Sequence, residues 1–358
     1  MSSPASTQPV PDDNNERLAQ NQPSIHEVNS ANGAATTVTE EYAASAEANL
    51  IPGIGVAAPA PTNARMRDLW RLITVNRKVT VGLCIVVFFI LLAIFGPIIL
   101  SHDANAFSND TLQGPSGTHL LGTTQTGQDV FTQTIVGARV SVFVGLGAGI
   151  LATILSVVFG LTAGYVGGAV DDVLSLIINV FLVLPGLPLA VVLADFSPIR
   201  GPIPIAIVLT ITSWSWSARV LRSQTLSLRQ RDFVEAARAT GEGQGRIIFY
   251  EILPNIIGLV VAGFIGVVIY IILAEAGLEF LGLGDPNIVS WGTMFYWAQN
   301  SNALLVGAWW WFLPPGFCIA ILGAGLTLMN YGIDEISNPR LRTEIRPNKK
   351  KLQKKAVA

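Results

Sequence analysis

Six stretches of this chain, residues 79–100, 140–163, 173–194, 203–218, 256–274 and 308–331, contain no Asp, Glu, Lys or Arg. About 20 residues rising about 1.5 Å each cover a bilayer hydrocarbon core of roughly 30 Å. Water is absent at that depth, so the backbone must pair its N–H and C=O groups within the segment, and a helix does so unaided. Only 13% of the 358 residues are charged, against about 25% in soluble domains. These patterns predict an all-α membrane protein with six transmembrane helices. Pro202 and Pro204 fall in the first turn of the fourth and shortest stretch, where a missing N–H does least harm. Pro185 and Pro188 in the third, and Pro314 and Pro315 in the sixth, are expected to break or kink their helices.

The basic residues set the orientation. Of 22 Lys and Arg, six precede the first stretch, six lie between the fourth and fifth, and eight follow the sixth. Six crossings put all three groups on one side and leave Arg139 and Arg200 on the other. The positive-inside rule then places both termini and the 219–255 loop in the cytoplasm. On the outer side, Trp291, Trp297 and Trp309–Trp311 are expected to form an interfacial belt. The pairs Gly145/Gly149, Gly160/Gly164 and Gly263/Gly266 predict close helix approach.

Residues 1–64 differ in kind, with abundant Ala, Ser, Thr, Asn and Pro, seven acidic residues and one Arg. They cannot bury enough apolar surface to offset ordering entropy, so they are expected to be a disordered tail. No basic n-region followed by a short apolar run suggests a signal peptide. Cys84 and Cys318 read as small buried hydrophobes, and the scattered His26, His102 and His119 predict no metal site. No cofactor and no nucleic-acid partner are expected. The lysines after Arg346 fit either contact with an anionic leaflet or an orientation signal.

Within the 219–255 loop, 227–241 has good helix formers, Asp232 near its start and Gly241 placed as a C′ glycine. A second short helix is expected to end at Pro254. Ala236, Ala237 and Ala239 keep one side of the hairpin thin, and Glu235 and Arg238 make an i,i+3 pair. From the residues alone, the hairpin is either a solvated connector or a surface that another protein meets.

Glu235-Ala236-Ala237, Gly241 and Leu253-Pro254 together resemble the EAA loop of ABC-importer permeases, with Glu251 where an Ile is usual. Further strings are similar to C-type permease subunits of dipeptide/oligopeptide importers. They include His119-Leu-Leu-Gly-Thr123, Gly137-Ala-Arg-Val-Ser141, Ala274-Glu-x-Gly-Leu-x-Phe-Leu-Gly-Leu-Gly284, Ser290-Trp-Gly292 and Asn338-Pro-Arg-Leu-Arg342. Gln125 and Gln128 stand where charged residues are usual. The similarity spans roughly 65–343. It implies a type I ABC importer permease fold in a bacterial or archaeal cell membrane. It also implies a homologous B-type permease subunit, two ATP-binding subunits, an extracytoplasmic solute-binding protein and a peptide substrate. Glu235, Ala236, Ala237, Gly241, Leu253 and Pro254 would form the ATPase-coupling loop.

The implied organisation is a tail (1–64), a first span with its outer loop (65–138), a five-span core (139–335) and a basic tail (336–358). The subunit is expected to be non-catalytic, since no Gly-x₄-Gly-Lys-[Ser/Thr] occurs. The path is expected between this subunit and its partner, lined by parts of spans two to six. Glu275 and Glu279 are placed at the start of the second outer loop, where acidic residues near a membrane boundary often serve function; contact with substrate and a structural or gating role both stay open. Asp171, Asp172 and Asp195 are read as boundary residues. Nickel-chelate, glutathione or sugar-like cargo for the same machine remains open. An ion-coupled transporter would need mid-span charges, and a membrane enzyme a polar constellation. Deletion of residues 1–60 is expected to leave uptake into proteoliposomes at the full-length rate, and a complex that no longer assembles would refute this.

Overall fold

The computed structural model describes residues 77–100 and 103–337, with side chains to residue 332. The 1–64 tail, the Asn338–Arg342 string, the lysine-rich end and all but the first two residues of the 336–358 tail lie outside these. The helices are α1 (Arg77–Ile99), α2 (Val130–Val166), α3 (Gly168–Val183), α4 (Gly186–Asp195), α5 (Pro202–Ser213), α6 (Ser215–Leu228), α7 (Asp232–Ala239), α8 (Gln244–Arg246), α9 (Ile257–Phe280), α10 (Trp291–Asn300) and α11 (Leu313–Ser337). Among the described residues there is no strand, only an isolated bridge between Thr123 and Asp129. Five helical stretches are long and apolar enough to cross a membrane, and the bent pair α3–α4 makes a sixth.

Several boundaries differ from the sequence reading. The second span begins at Val130 and has 37 residues, about 55 Å at 1.5 Å each, so part of it projects beyond a hydrocarbon core. Asp129 starts it by accepting hydrogen bonds from the Thr132 N–H and hydroxyl, both at 2.8 Å, a standard N-cap. The fourth stretch is not short. It continues through α6 to Leu228 with a break at Trp214, so Arg219 and Arg222 sit on a helix rather than in a loop. The third span does break at its prolines, with α3 and α4 meeting at 84°. Pro314 and Pro315 instead occupy the first turn of α11, where they start a helix after the 3₁₀ turn Trp309–Trp311.

Two apolar clusters hold the spans. The first gathers Phe89, Val142, Val268, Trp291, Trp311 and Leu322 from α1, α2, α9, α10, α11 and the turn before α11. Trp291 is fully buried, with its indole N–H donating to the Thr134 carbonyl at 3.0 Å. Trp291 and Trp311 are therefore core residues, while Trp297 and Trp309 remain exposed as a belt requires. The second cluster joins Ala148 and Ala152 of α2 to Ile178, Ala190, Leu209, Trp214 and Ile271. Large side chains such as Phe88, Leu176 and Leu193 point outward, as lipid-facing surfaces do. Cys84 is exposed on α1 and Cys318 is half-buried, so the expectation of burial fails for Cys84.

In lipid, helices gain little by hiding apolar area from water, so close contact must hold them. The seam between α2 and α6 supplies it. A Cβ on Gly160 would lie 2.6 Å from the Ala218 carbonyl, and one on Gly164 would lie 2.8 Å from the Arg222 carbonyl. Ser156 donates to the Trp214 carbonyl at 2.6 Å across the same seam. Gly263 and Gly266 do not behave this way: nothing lies within 4 Å of a Cβ on Gly266.

Glu275 and Glu279 belong to the last turns of α9, not to a loop, and both are buried. Ser141 of α2 donates to Glu275 at 3.2 Å, and the Ser290 hydroxyl donates to Glu279. Ser290 also caps α10 in a box with Thr293. Three helices are thus tied by hydroxyls at one end of the bundle. Gly160→Leu is expected to force α2 from α6 and lower stability by about 1–3 kcal/mol, read as a fall in detergent melting temperature; an unchanged temperature would refute the seam.

Candidate functional site: the 229–256 hairpin

After Leu228 the chain leaves the bundle as a compact hairpin. Arg231 is extended, and α7 begins with Asp232 and Glu235 in its first turn and Arg238 in its last, charges that complement the helix dipole. The stop is a complete Schellman arrangement. The Gly241 N–H bonds the Arg238 carbonyl at 3.0 Å, and the Glu242 N–H bonds the Ala237 carbonyl at 3.1 Å. It requires Gly241 at φ +80°, a conformation other residues reach only at a cost.

The return strand of the hairpin departs from expectation. α8 passes into a π-helical turn, Ile247–Ile252, and then a 3₁₀ turn, Leu253–Asn255. Pro254 has no N–H for the Tyr250 carbonyl, so the α pattern cannot run through. The Leu253 N–H bonds the Ile248 carbonyl instead. Pro254 therefore does not end a helix; it lies inside the turn that leads into α9.

The hairpin is rooted rather than hanging free. Val234, Ile247, Ile248, Ile252 and Ile256 bury against Leu161 and Tyr165 of α2 and Leu221 of α6, with Ala237 and Leu253 half-buried at the margin. Arg238 does not serve the expected pair with Glu235. It lies 5.1 Å over the Tyr165 ring, and its Nε donates to the Tyr165 hydroxyl at 3.3 Å. Arg222 grips Asp171 through two bonds of 2.6 and 2.8 Å, so Asp171 is a brace between α3 and α6. Arg229 reaches the Gly164 carbonyl at 3.4 Å.

Of the predicted site residues, Glu235, Ala236, Gly241 and Pro254 are exposed, while Ala237 and Leu253 face inward. The hairpin brings them into one compact structure, with Phe249 and Tyr250 (74% exposed) also presented outward. The residues missed by sequence reasoning are the anchors: Tyr165, Val234, Ile252 and the Asp171–Arg222 brace. Leu161 and Tyr165 share a helix face at i,i+4, but their partners lie in segments far along the chain. Ile252→Ala is expected to cost about 2–5 kcal/mol of local stability. Hydrogen exchange across residues 232–256 should then accelerate while α2 stays protected; unchanged exchange would show the hairpin is not held by this cluster.

A family model described as the binding-protein-dependent transport system inner membrane component matches residues 156–343. A second, the N-terminal TM domain of oligopeptide transport permease C, matches residues 65–115. The chain is 35% identical over 271 residues to the oligopeptide transport system permease protein OppC of Bacillus subtilis, covering 75% of this chain and 87% of that protein. It is 35% identical over 281 residues to the dipeptide transport system permease protein DppC of Alkalihalophilus pseudofirmus, covering 77% and 90%. A putative peptide transport system permease protein of Brucella suis is 32% identical over 297 residues, covering 82% and 96%.

Proposed function

The chain belongs to the family of binding-protein-dependent transport system inner membrane components, and from that membership we propose that it forms half of a peptide path and is driven through its 229–256 hairpin. It is a multi-pass membrane permease of the ABC importer class. A homologous permease subunit would complete the path, two ATP-binding subunits would supply force, and an extracytoplasmic solute-binding protein would deliver short peptides, the cargo named for its relatives. Both termini and the hairpin lie in the cytoplasm on this reading, in accord with the placement of basic residues. The subunit itself is non-catalytic: it lacks the phosphate-cradling Gly-x₄-Gly-Lys-[Ser/Thr] string, so energy enters by contact.

The observation that carries the reading is a stiff hairpin with an exposed small-residue face, rooted in the helices it would have to move. Closure of the ATP-binding subunits would press on Glu235, Ala236 and the Gly241 turn. Val234 and Ile252 transmit the push to Leu161, Tyr165 and Leu221, and α9, which leaves the hairpin through Pro254, moves with it. A tightly packed interface passes displacement on because it cannot deform continuously.

Glu235→Arg and Gly241→Pro are expected to uncouple the machine, the second because proline cannot adopt φ +80°. In proteoliposomes with all subunits present, ATP hydrolysis should persist while peptide uptake falls by about tenfold or more, within the usual range of coupling energies. Normal uptake in both variants would reject the hairpin as the point of force entry.

A further inference from the structure

Two interrupted spans meet at the same place. The α3–α4 bend lies at Leu184–Pro185, and the α5–α6 break lies at Trp214, between helical segments of 12 and 14 residues. Both fall near the middle of their crossings, and both face the central part of α9. Between them is a cavity of about 530 Å³, within the size range of small-ligand sites.

Proline withholds a donor at this point. Pro185 offers no N–H to the Phe181 carbonyl, and both Phe181 and the extended Leu184 line the cavity. Hydroxyls surround it as well: those of Ser215, Ser217 and Tyr270, with Thr212 and Ser213, which already donate to the Val208 and Leu209 carbonyls of α5. Gly186 keeps the bend close to the others. A Cβ there would stand 3.4 Å from the Tyr270 hydroxyl and 3.7 Å from the Thr212 carbonyl. The lining carries no Asp, Glu, Lys, Arg or His. Trp216, 68% exposed, and Gly266 lie at an open side. Irregular backbone at membrane depth is tolerated only inside protein or where it lines a polar, watered cavity.

We infer that this cavity holds a short peptide in transit, recognised through its backbone by the Ser215, Ser217 and Tyr270 hydroxyls and the Phe181 carbonyl, without preference for the sign of side-chain charge. The Phe181 carbonyl freed by Pro185 accepts a peptide N–H group, and Ser217 and Tyr270 donate to peptide C=O groups. Apolar walls from Phe181 and Val267 take apolar side chains, and charged ones, costly to bury, reach the open side beside Trp216. The inference rests on the peptide-importer reading above and adds where and how the cargo is touched.

The test uses the complete complex in proteoliposomes, with labelled Ala-Glu-Ala and Ala-Lys-Ala delivered by the same binding protein. Ser217→Asp is expected to lower Ala-Glu-Ala uptake relative to Ala-Lys-Ala about fivefold or more, because a like charge facing the cavity repels. Gly266→Leu, at a position where an added Cβ meets no atom within 4 Å, should fill the space and lower uptake of both peptides about tenfold, in the range that pocket contacts control. Gly147→Leu, exposed on α2 and equally free of neighbours, should change neither. An unaltered charge ratio in Ser217→Asp together with full uptake in Gly266→Leu would overturn the inference, and is the result if only an acyl chain occupies the cavity. If Ser217→Asp fails to assemble, Gly266→Leu decides alone. A wild-type complex that moves another solute and no peptide would sink the peptide reading, whereas the cavity falls as a transit site only if Gly266→Leu leaves that solute's uptake intact.

Discussion

The contact between α2 and α6 organises this subunit. Hydrocarbon gives helices no hydrophobic reason to associate, so the two must be drawn together by dispersion at short range and by hydrogen bonds. Gly160 and Gly164 remove the atoms that would hold the backbones apart. Ser156 then reaches the Trp214 carbonyl, which lies at the break between α5 and α6. The Arg222–Asp171 brace fixes α3 to the same seam. The hairpin roots onto the surface that this clamp creates.

The two ends of the bundle use different chemistry. At one end the hairpin is seated on an aliphatic patch with Tyr165 and Arg238 at its edge. At the other end, Glu275 and Glu279 are buried among Ser141, Ser290 and Thr293. Burying carboxyl groups is costly unless their bonds are made; Glu275 Oε2 finds no partner among the described residues, while hydroxyl bonds to Glu275 and Glu279 tie α2, α9 and α10 together.

Between these ends lie the interrupted spans. A helix broken at mid-depth can give up hydrogen bonds that an unbroken one would keep, and at Trp214 the carbonyl keeps two, from the Ala218 N–H and the Ser156 hydroxyl. The 84° bend at Pro185 and the break at Trp214 therefore belong with the seam: one brings polar backbone to the middle of the bundle, the other keeps it there.

The sequence by itself determined the class of fold, the crossings, the proline break in the third span and the hairpin with its glycine stop. Each follows from a local rule: absence of charge over a bilayer's thickness, missing N–H groups, or a residue that must take positive φ. It did not place Glu275 and Glu279, because a carboxylate after an apolar run looks like a loop start until Ser141 and Ser290 are brought beside it from far along the chain. It misread Trp291 and Trp311 for the same reason, since a tryptophan near a span end is interfacial unless another helix covers it. It ended the fourth span too early, because arginines on α6 are tolerated once Asp171 faces Arg222. Only the tertiary structure decided which charges were paired, which glycines were seams and which were open walls, because those are properties of pairs of segments that no single stretch carries.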